Sequence, residues 1–468
     1  MDRREFIKVL GGTIATTAVA TACSNGSNGI NTTNTTNEVL DGNGSMTMRV
    51  NPNTGDRVSL LGYGMMRLPV VGGGTARENP DAPIDQDMVN MQVDYALEHG
   101  INYFDTSPAY CKGLSEKSTG IALARHPRSS YYIATKLSNF SPETWSAQAS
   151  REMFENSLRE LQTDYIDYLL LHSIGGTSKD MDALQTFNAR YMDNGILDWL
   201  VEQKKNGRIR NLGFSYHGDV SIFDMLLRWH DEGRYHWDFV QIELNYLDWD
   251  YAKEINPRNT NASYLYDELN KRGIPSVIME PLLGGRLGNV PANMQLRMKE
   301  REPQSTPARW AFRFAGTPEG VLSVLSGMTY MSHLQENIET YSPLRPINQD
   351  ENKMLMSMAL EMVSLDAVPC TACNYCMPCP YGLNIPLIFG FYNKCITDGT
   401  LPDTNDPNYK VARKRFLIGY DRAVPQLRQA AYCIGCNQCV VHCPQNIEIH
   451  KQMQRIDRFV EHVKQNNY

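Results

Sequence analysis

Between residues 57 and 342, short β-rich runs alternate with amphipathic stretches eight times, and few architectures accept that pattern. The expected strands are 58–67, 101–105, 131–136, 165–172, 209–215, 239–245, 274–280 and 321–326. Several are almost wholly apolar, as strands shielded on both faces must be. Helix patterns lie between them at 87–99, 141–161, 196–205 and 263–271. Gly100, Gly207 and Gly273 stop three of these helices. Eight such units predict an α/β chain built on a closed (β/α)8 TIM barrel, with a doubly wound open sheet as the alternative. Barrel chemistry gathers at the C-terminal ends of strands, where Asp105, Lys136, His172 and Ser215 all fall.

These residue types suit one reaction. Reducing a carbonyl with a nicotinamide needs a proton at the oxygen while hydride reaches the carbon. Tyr110 can give that proton, but an ordinary phenol pKa of ~10 is high for two-way transfer. The ammonium of Lys136 is expected to lower it, Asp105 to hold Lys136, and His172 to orient the carbonyl.

The cysteines are unevenly spread. Eight of the 11 stand in two runs, Cys370, Cys373, Cys376 and Cys379, then Cys433, Cys436, Cys439 and Cys443. The second run has the C-x2-C-x2-C-x3-C-P spacing of bacterial ferredoxins, whose last Cys ligates the other cluster. On that pattern Cys370, Cys373, Cys376 and Cys443 hold one [4Fe–4S] cluster, and Cys433, Cys436, Cys439 and Cys379 a second. The first run departs from the spacing, with C-x2-C-P at its end. Structural zinc, disulfides and a single cluster are the alternatives. Cys111 and Cys395 have no cluster partner in sequence and read as ordinary thiols.

The N-terminus reads as an address. Arg3 and Arg4 precede an apolar stretch at 9–22, too short to span a bilayer. It resembles a twin-arginine export signal, and Ala20-Thr21-Ala22-Cys23 resembles a lipoprotein cleavage box. The mature protein is then expected on the periplasmic or cell-surface side, tied to a membrane through lipidated Cys23. A Ser-, Asn-, Gly- and Thr-rich tether follows. The expected divisions are a signal at 1–23, a linker and barrel approach at 24–56, the barrel at 57–342 and a mostly helical, cysteine-rich domain at 343–468, bounded by Pro343 and Pro346. The net charge of −7 gives no general basic field for nucleic acid.

Five segments carry a family resemblance: FDTSPAY (104–110), GLSEKSTGIAL (113–123), IATKL (133–137), DYIDYLLLHS (164–173) and NLGFSYH (211–217). Over about residues 57–340 the chain resembles the aldo/keto reductases, whose tetrad order Asp, Tyr, Lys, His it shares. The resemblance implies an oxidoreductase that interconverts a carbonyl and an alcohol with NAD(P)(H), held over the barrel mouth. It implies nicotinamide contacts from Ser215 and Gln241 and backbone contacts from Gly64 and Met65. The loop with Pro281, Leu282 and Gly284 is implied near the pyrophosphate, and Gly327 and Asn337 in the cofactor region after the last strand. Met279 and Glu280 stand where the family often has an aromatic. Lys and Arg for a 2′-phosphate are missing near the last strand, which leaves NADH and NADPH both open.

The whole arrangement is similar to bacterial aldo/keto reductases with a C-terminal ferredoxin-like iron–sulfur domain, which implies an electron-transfer partner. A redox-sensing or binding module without turnover is the second reading. Loops 174–195 and 249–262 are expected to cover the pocket, and their composition suits a small carbonyl or polyol substrate.

Overall fold

The computed structural model describes residues 45–76, 79, 81–178 and 180–466. The expected export signal, Cys23 and the tether to residue 44 lie outside the described residues. Eight parallel strands close into a barrel: β3 (Leu61–Gly64), β4 (Tyr103–Asp105), β5 (Tyr132–Leu137), β6 (Ile166–Ile174), β7 (Ile209–Tyr216), β8 (Phe239–Glu243), β9 (Ser276–Met279) and β10 (Val321–Ser326). β10 pairs with both β9 and β3, which completes the ring. The open-sheet alternative is thereby removed.

The expected first strand, 58–67, divides in two. Its start, β2 (Arg57–Ser59), pairs antiparallel with β1 (Met48–Val50) as a hairpin outside the ring. The hairpin closes the bottom of the barrel. Val58 joins the interior cluster, and Asn51 in the hairpin turn donates to Asn211 Oδ1 at 3.2 Å. Asp56 accepts from the Tyr168 hydroxyl at 2.8 Å. Polar groups sealed there need such partners.

The site follows from strand periodicity. Alternate residues face the barrel axis. Tyr103, Ala134, Leu170 and Phe239 fill its interior. One inward step further along the same strands stand Asp105, Lys136, His172 and Gln241. An apolar plug thus supports a polar mouth. The matching step on β7 runs from Gly213 to Ser215. A Cβ on Gly213 would lie 2.2 Å from the Phe239 carbonyl oxygen, so no larger residue fits between β7 and β8 without moving the backbone.

The boundary expected at 343 falls one helix too early. Helix Gln349–Val363 buries Leu355, Met358, Ala359 and Met362 in the barrel's outer core. A second core begins at Val368, built from helices Ile385–Thr397, Tyr409–Ala423 and Ile449–Gln465, with both cysteine runs packed against it. Pro343 and Pro346 mark a turn within the barrel domain rather than its end. The Lys410–Arg415 stretch lies on the second of these helices, where Arg413 donates to the Val463 carbonyl at 2.7 Å and caps the last helix.

Candidate active site

A cavity of about 610 Å3 opens at the C-terminal ends of the strands. Asp105, Tyr110, Lys136 and His172 all line it. Lys136 is 1 % exposed, and its ammonium donates to Asp105 Oδ1 at 2.6 Å and to the Thr106 carbonyl at 2.8 Å. A charge buried this completely needs such pairing. The ammonium lies 4.9 Å from the Tyr110 ring centroid, over its face. Cys111 and Lys112 follow in left-handed backbone (φ 50° and 54°), a tight reversal that holds Tyr110 at the mouth. The His172 ring meets that of Tyr110 edge to face, 5.9 Å between centroids. Its Nδ1 stands 2.6 Å from the Ser138 hydroxyl. When that hydroxyl donates to Nδ1, the ring proton resides on Nε2, as a donor to a carbonyl requires.

Burial dominates the electrostatics. It raises the Tyr110 pKa well above 10, helped by Tyr375, Asp105 and Glu280. It pulls His172 well below 6.5, with the Lys136 and Arg190 cations acting the same way. Lys136 is lowered and Asp105 raised by burial, each opposed by the other's charge. The expectation that Lys136 lowers the Tyr110 pKa is therefore not met in this state. Its ammonium is spent on Asp105 and Thr106 and faces the ring, while the hydroxyl lies among anion-forming groups. Burial thus holds the Tyr110 hydroxyl in its protonated form.

The other expected residues divide clearly. Gly64, Ser215, Gln241, Pro281, Leu282, Gly284, Gly327 and Asn337 line the same cavity. Met65 does not: its side chain is fully buried and its carbonyl accepts from Ser115 at 2.8 Å, while Met66 takes the lining position. Gln241 Oε1 is buried without a partner among the described residues, as a carboxamide-binding acceptor would be before its ligand arrives. A Cβ on Gly64 would reach 3.3 Å from the Ser326 carbonyl, and one on Gly327 3.0 Å from the Arg67 side chain, so both glycines let neighbouring segments of the rim pack closely. Asn337 donates to Ser326 at 3.0 Å. The Glu280 carboxylate accepts from the Gly284 amide at 2.5 Å and pins the 281–288 loop.

Sequence reasoning missed the roof. Thr371, Cys373, Tyr375 and Pro444, all from the C-terminal domain, line the cavity. Tyr375 shares that lining with Tyr110, and its ring packs 6.1 Å from that of Phe140. Gln445 donates to Glu243 at 2.6 Å, and Asn256 donates to the Gln445 and Asn446 carbonyls at 2.7 and 3.0 Å. Loops 174–195 and 249–262, expected as covers, serve elsewhere. Arg190 in the first braces the His172 carbonyl at 2.5 Å, and Asn256 in the second docks the C-terminal domain.

The cysteine runs interleave in space. Cys370, Cys373, Cys376 and Cys443 border one small void, and Cys379, Cys433, Cys436 and Cys439 border another. Burial pushes the Cys373 thiol up to about 12 and the Cys443 and Cys439 thiols up to about 11. Among the described residues there is no disulfide, and no group of three or more His, Cys, Asp or Glu could hold a metal ion as it stands.

Comparison with known proteins adds the lineage. The family profile described as "Aldo/keto reductase family" matches residues 61–359. L-galactose dehydrogenase of Arabidopsis thaliana is 28 % identical over 326 residues, covering 66 % of this chain and 92 % of that protein. Methylglyoxal reductase DkgB of Escherichia coli O157:H7 is 30 % identical over 156 residues, 32 % of this chain and 48 % of that one. The holo structure of aldo-keto reductase AKR11C1 from Bacillus halodurans shares the fold with a TM-score of 0.50 at 23 % identity, covering 67 % of this chain and 96 % of that chain. The chain belongs to the aldo/keto reductase family, with residues 360–468 beyond the matched region.

Proposed function

We propose that the protein interconverts a small carbonyl or polyol substrate and its redox partner with NAD(P)(H), and that two [4Fe–4S] clusters in its C-terminal domain serve electron transfer. The observation that carries the first part is the buried Asp105–Lys136–Tyr110–His172 set at the mouth of one cavity. The relatives' names, L-galactose dehydrogenase and methylglyoxal reductase, support a small oxygen-rich substrate.

When bound, a nicotinamide supplies or accepts hydride at the substrate carbon. Gln241 Oε1 and Ser215 would hold its carboxamide, Gly64 and Gly327 would lie beside its path, and the 281–288 loop would lie along its phosphates. The chain's own residues do the rest. His172 Nε2 donates to the carbonyl oxygen and orients it. Tyr110 donates to the same oxygen and releases its proton there as the alcohol forms. Lys136 and Asp105 hold the phenol's position. Ser138 fixes the imidazole tautomer.

The pH dependence tests this. Reduction needs Tyr110 protonated, and its raised pKa keeps it so well past neutrality. His172, lowered, stays neutral down through ordinary acid pH. kcat/KM for reduction should therefore stay level from about pH 6 to about pH 9. Alcohol oxidation needs the phenolate and should rise with pH across that range. A reduction rate that falls between pH 7 and 8 counts against Tyr110 as the proton donor.

Two four-thiol sets around voids support clusters better than zinc, because a cubane spreads its thiolates where a single tetrahedral ion gathers them. The raised thiols would release protons as iron binds. Beside the second set, Leu427, Tyr432, Ile434 and Val441 are exposed and suit a docking electron-transfer partner. For location, we propose twin-arginine export and anchoring through Cys23. Membrane-bound protein that a Cys23→Ala change fails to release would oppose the anchor.

A further inference from the structure

A dinucleotide brings the charge of its phosphates with it, and the cavity has few cations to meet that charge. Asp105, Glu243, Glu280 and Glu336 line it, against Lys136 and Arg67. No Lys or Arg stands among residues 327–340, after β10. Lys136 is engaged by Asp105 and the Thr106 carbonyl. Burial lowers the three lining histidines, His172, His217 and His333, so none of them carries a charge at neutral pH. Arg67 is left, and its side chain makes no hydrogen bond or ion pair with any described residue.

The seat of Arg67 is fixed. The residue ends the short turn Met65–Arg67 that follows β3. The Thr329 hydroxyl donates to its carbonyl at 2.8 Å, and the Tyr63 hydroxyl donates to the Met328 carbonyl at 2.7 Å. The ends of β3 and β10 are thereby bound together. The aliphatic arm of Arg67 lies along Gly327, where a Cβ would stand 3.0 Å from its Cδ and 3.1 Å from its Cβ and Cγ. Both residues line the cavity. An arm laid down in this way loses less freedom when a ligand arrives. A guanidinium offers phosphate oxygens a planar fork of donors, and such charge-assisted bonds are the strong ones.

We propose that Arg67 is a phosphate-binding residue of the nucleotide site, so that the strand opening the barrel supplies the cation that the segment after the closing strand lacks. This rests on reading the cavity as a dinucleotide site. The phosphate is either the pyrophosphate, common to NADH and NADPH, or the 2′-phosphate of NADPH. The test titrates the full chain, purified anaerobically, with NADH and with NADPH and follows binding by fluorescence. Arg67→Met keeps an unbranched arm over Gly327 and removes the charge. It is expected to weaken binding about 10- to 100-fold. An equal loss for both nucleotides places the guanidinium on the pyrophosphate, and a loss for NADPH alone places it on the 2′-phosphate. Arg67→Lys restores a charge and is expected to bind at least about fivefold more tightly than Arg67→Met. A loss below about fivefold for both nucleotides in Arg67→Met overturns the proposal. So does Arg67→Lys binding as weakly as Arg67→Met, which marks a damaged rim rather than a lost charge. If the wild type binds neither NADH nor NADPH, the dinucleotide reading itself has failed.

Discussion

Tyr110→Phe is expected to lower nicotinamide-dependent carbonyl reduction by roughly 10²- to 10⁴-fold, the usual contribution of a positioned proton donor. The substitution removes one oxygen and little else. The phenyl ring keeps its place under the Lys136 ammonium and against the His172 edge. Nucleotide binding, measured by fluorescence titration, should change less than about threefold, because no nucleotide contact proposed for this chain uses that hydroxyl. Iron content should be unchanged. A variant retaining a tenth or more of the wild-type rate would mean that another group supplies the proton.

The second large effect concerns iron. Two cubanes hold about eight irons per chain, and the crossed arrangement around the two voids assigns Cys443 to the set of Cys373. Cys443→Ala should leave about four irons. That result alone does not separate crossed from uncrossed pairing, but the double variant does. If Cys373 and Cys443 serve the same cluster, changing both to Ala also leaves about four irons and one EPR signal. If each run serves its own cluster, the double variant loses both. Cys373→Ala with Cys379→Ala is the complementary pair and should lose nearly all iron under the crossed arrangement but keep about four irons under the uncrossed one. Rates of carbonyl reduction are expected to fall in Cys443→Ala as well, since Pro444 lines the cavity and Gln445 holds Glu243.

The barrel was legible because each strand carries its own period-two signal. Tyr103–Asp105 and Ala134–Lys136 announce an apolar plug beneath a polar mouth without help from distant residues. The tetrad was legible for the same reason, since all four members sit at or just after strand ends. The grouping of the cysteines around two voids follows the ferredoxin-type spacing, in which the proline after the last Cys of a run turns that Cys away from its neighbours. Three things were hidden. The Tyr110 environment depends on Glu280 and Tyr375, which approach only in three dimensions. The domain boundary was misread because Pro343 and Pro346 look like a linker, while the evidence against one is a helix that buries Leu355 and Met358 on the barrel. The roof was missed because Tyr375 lies inside a cysteine motif, where every residue reads as part of a ligand loop. Docking contacts such as Asn256 to Gln445 join segments far apart in sequence, and neither segment has a local signature.

The interleaving of the two cysteine sets also ties both voids to the far end of the chain. β10 ends at Ser326, well before Cys443 in the chain, so the ring is complete in sequence before its roof begins. The first void borrows Cys443 from the end of the chain, and the second borrows Cys379 from the earlier run. Neither void is therefore walled on all sides until translation has passed residue 443. The walls of both voids are thus completed by the same late segment that carries Pro444 to the cavity mouth.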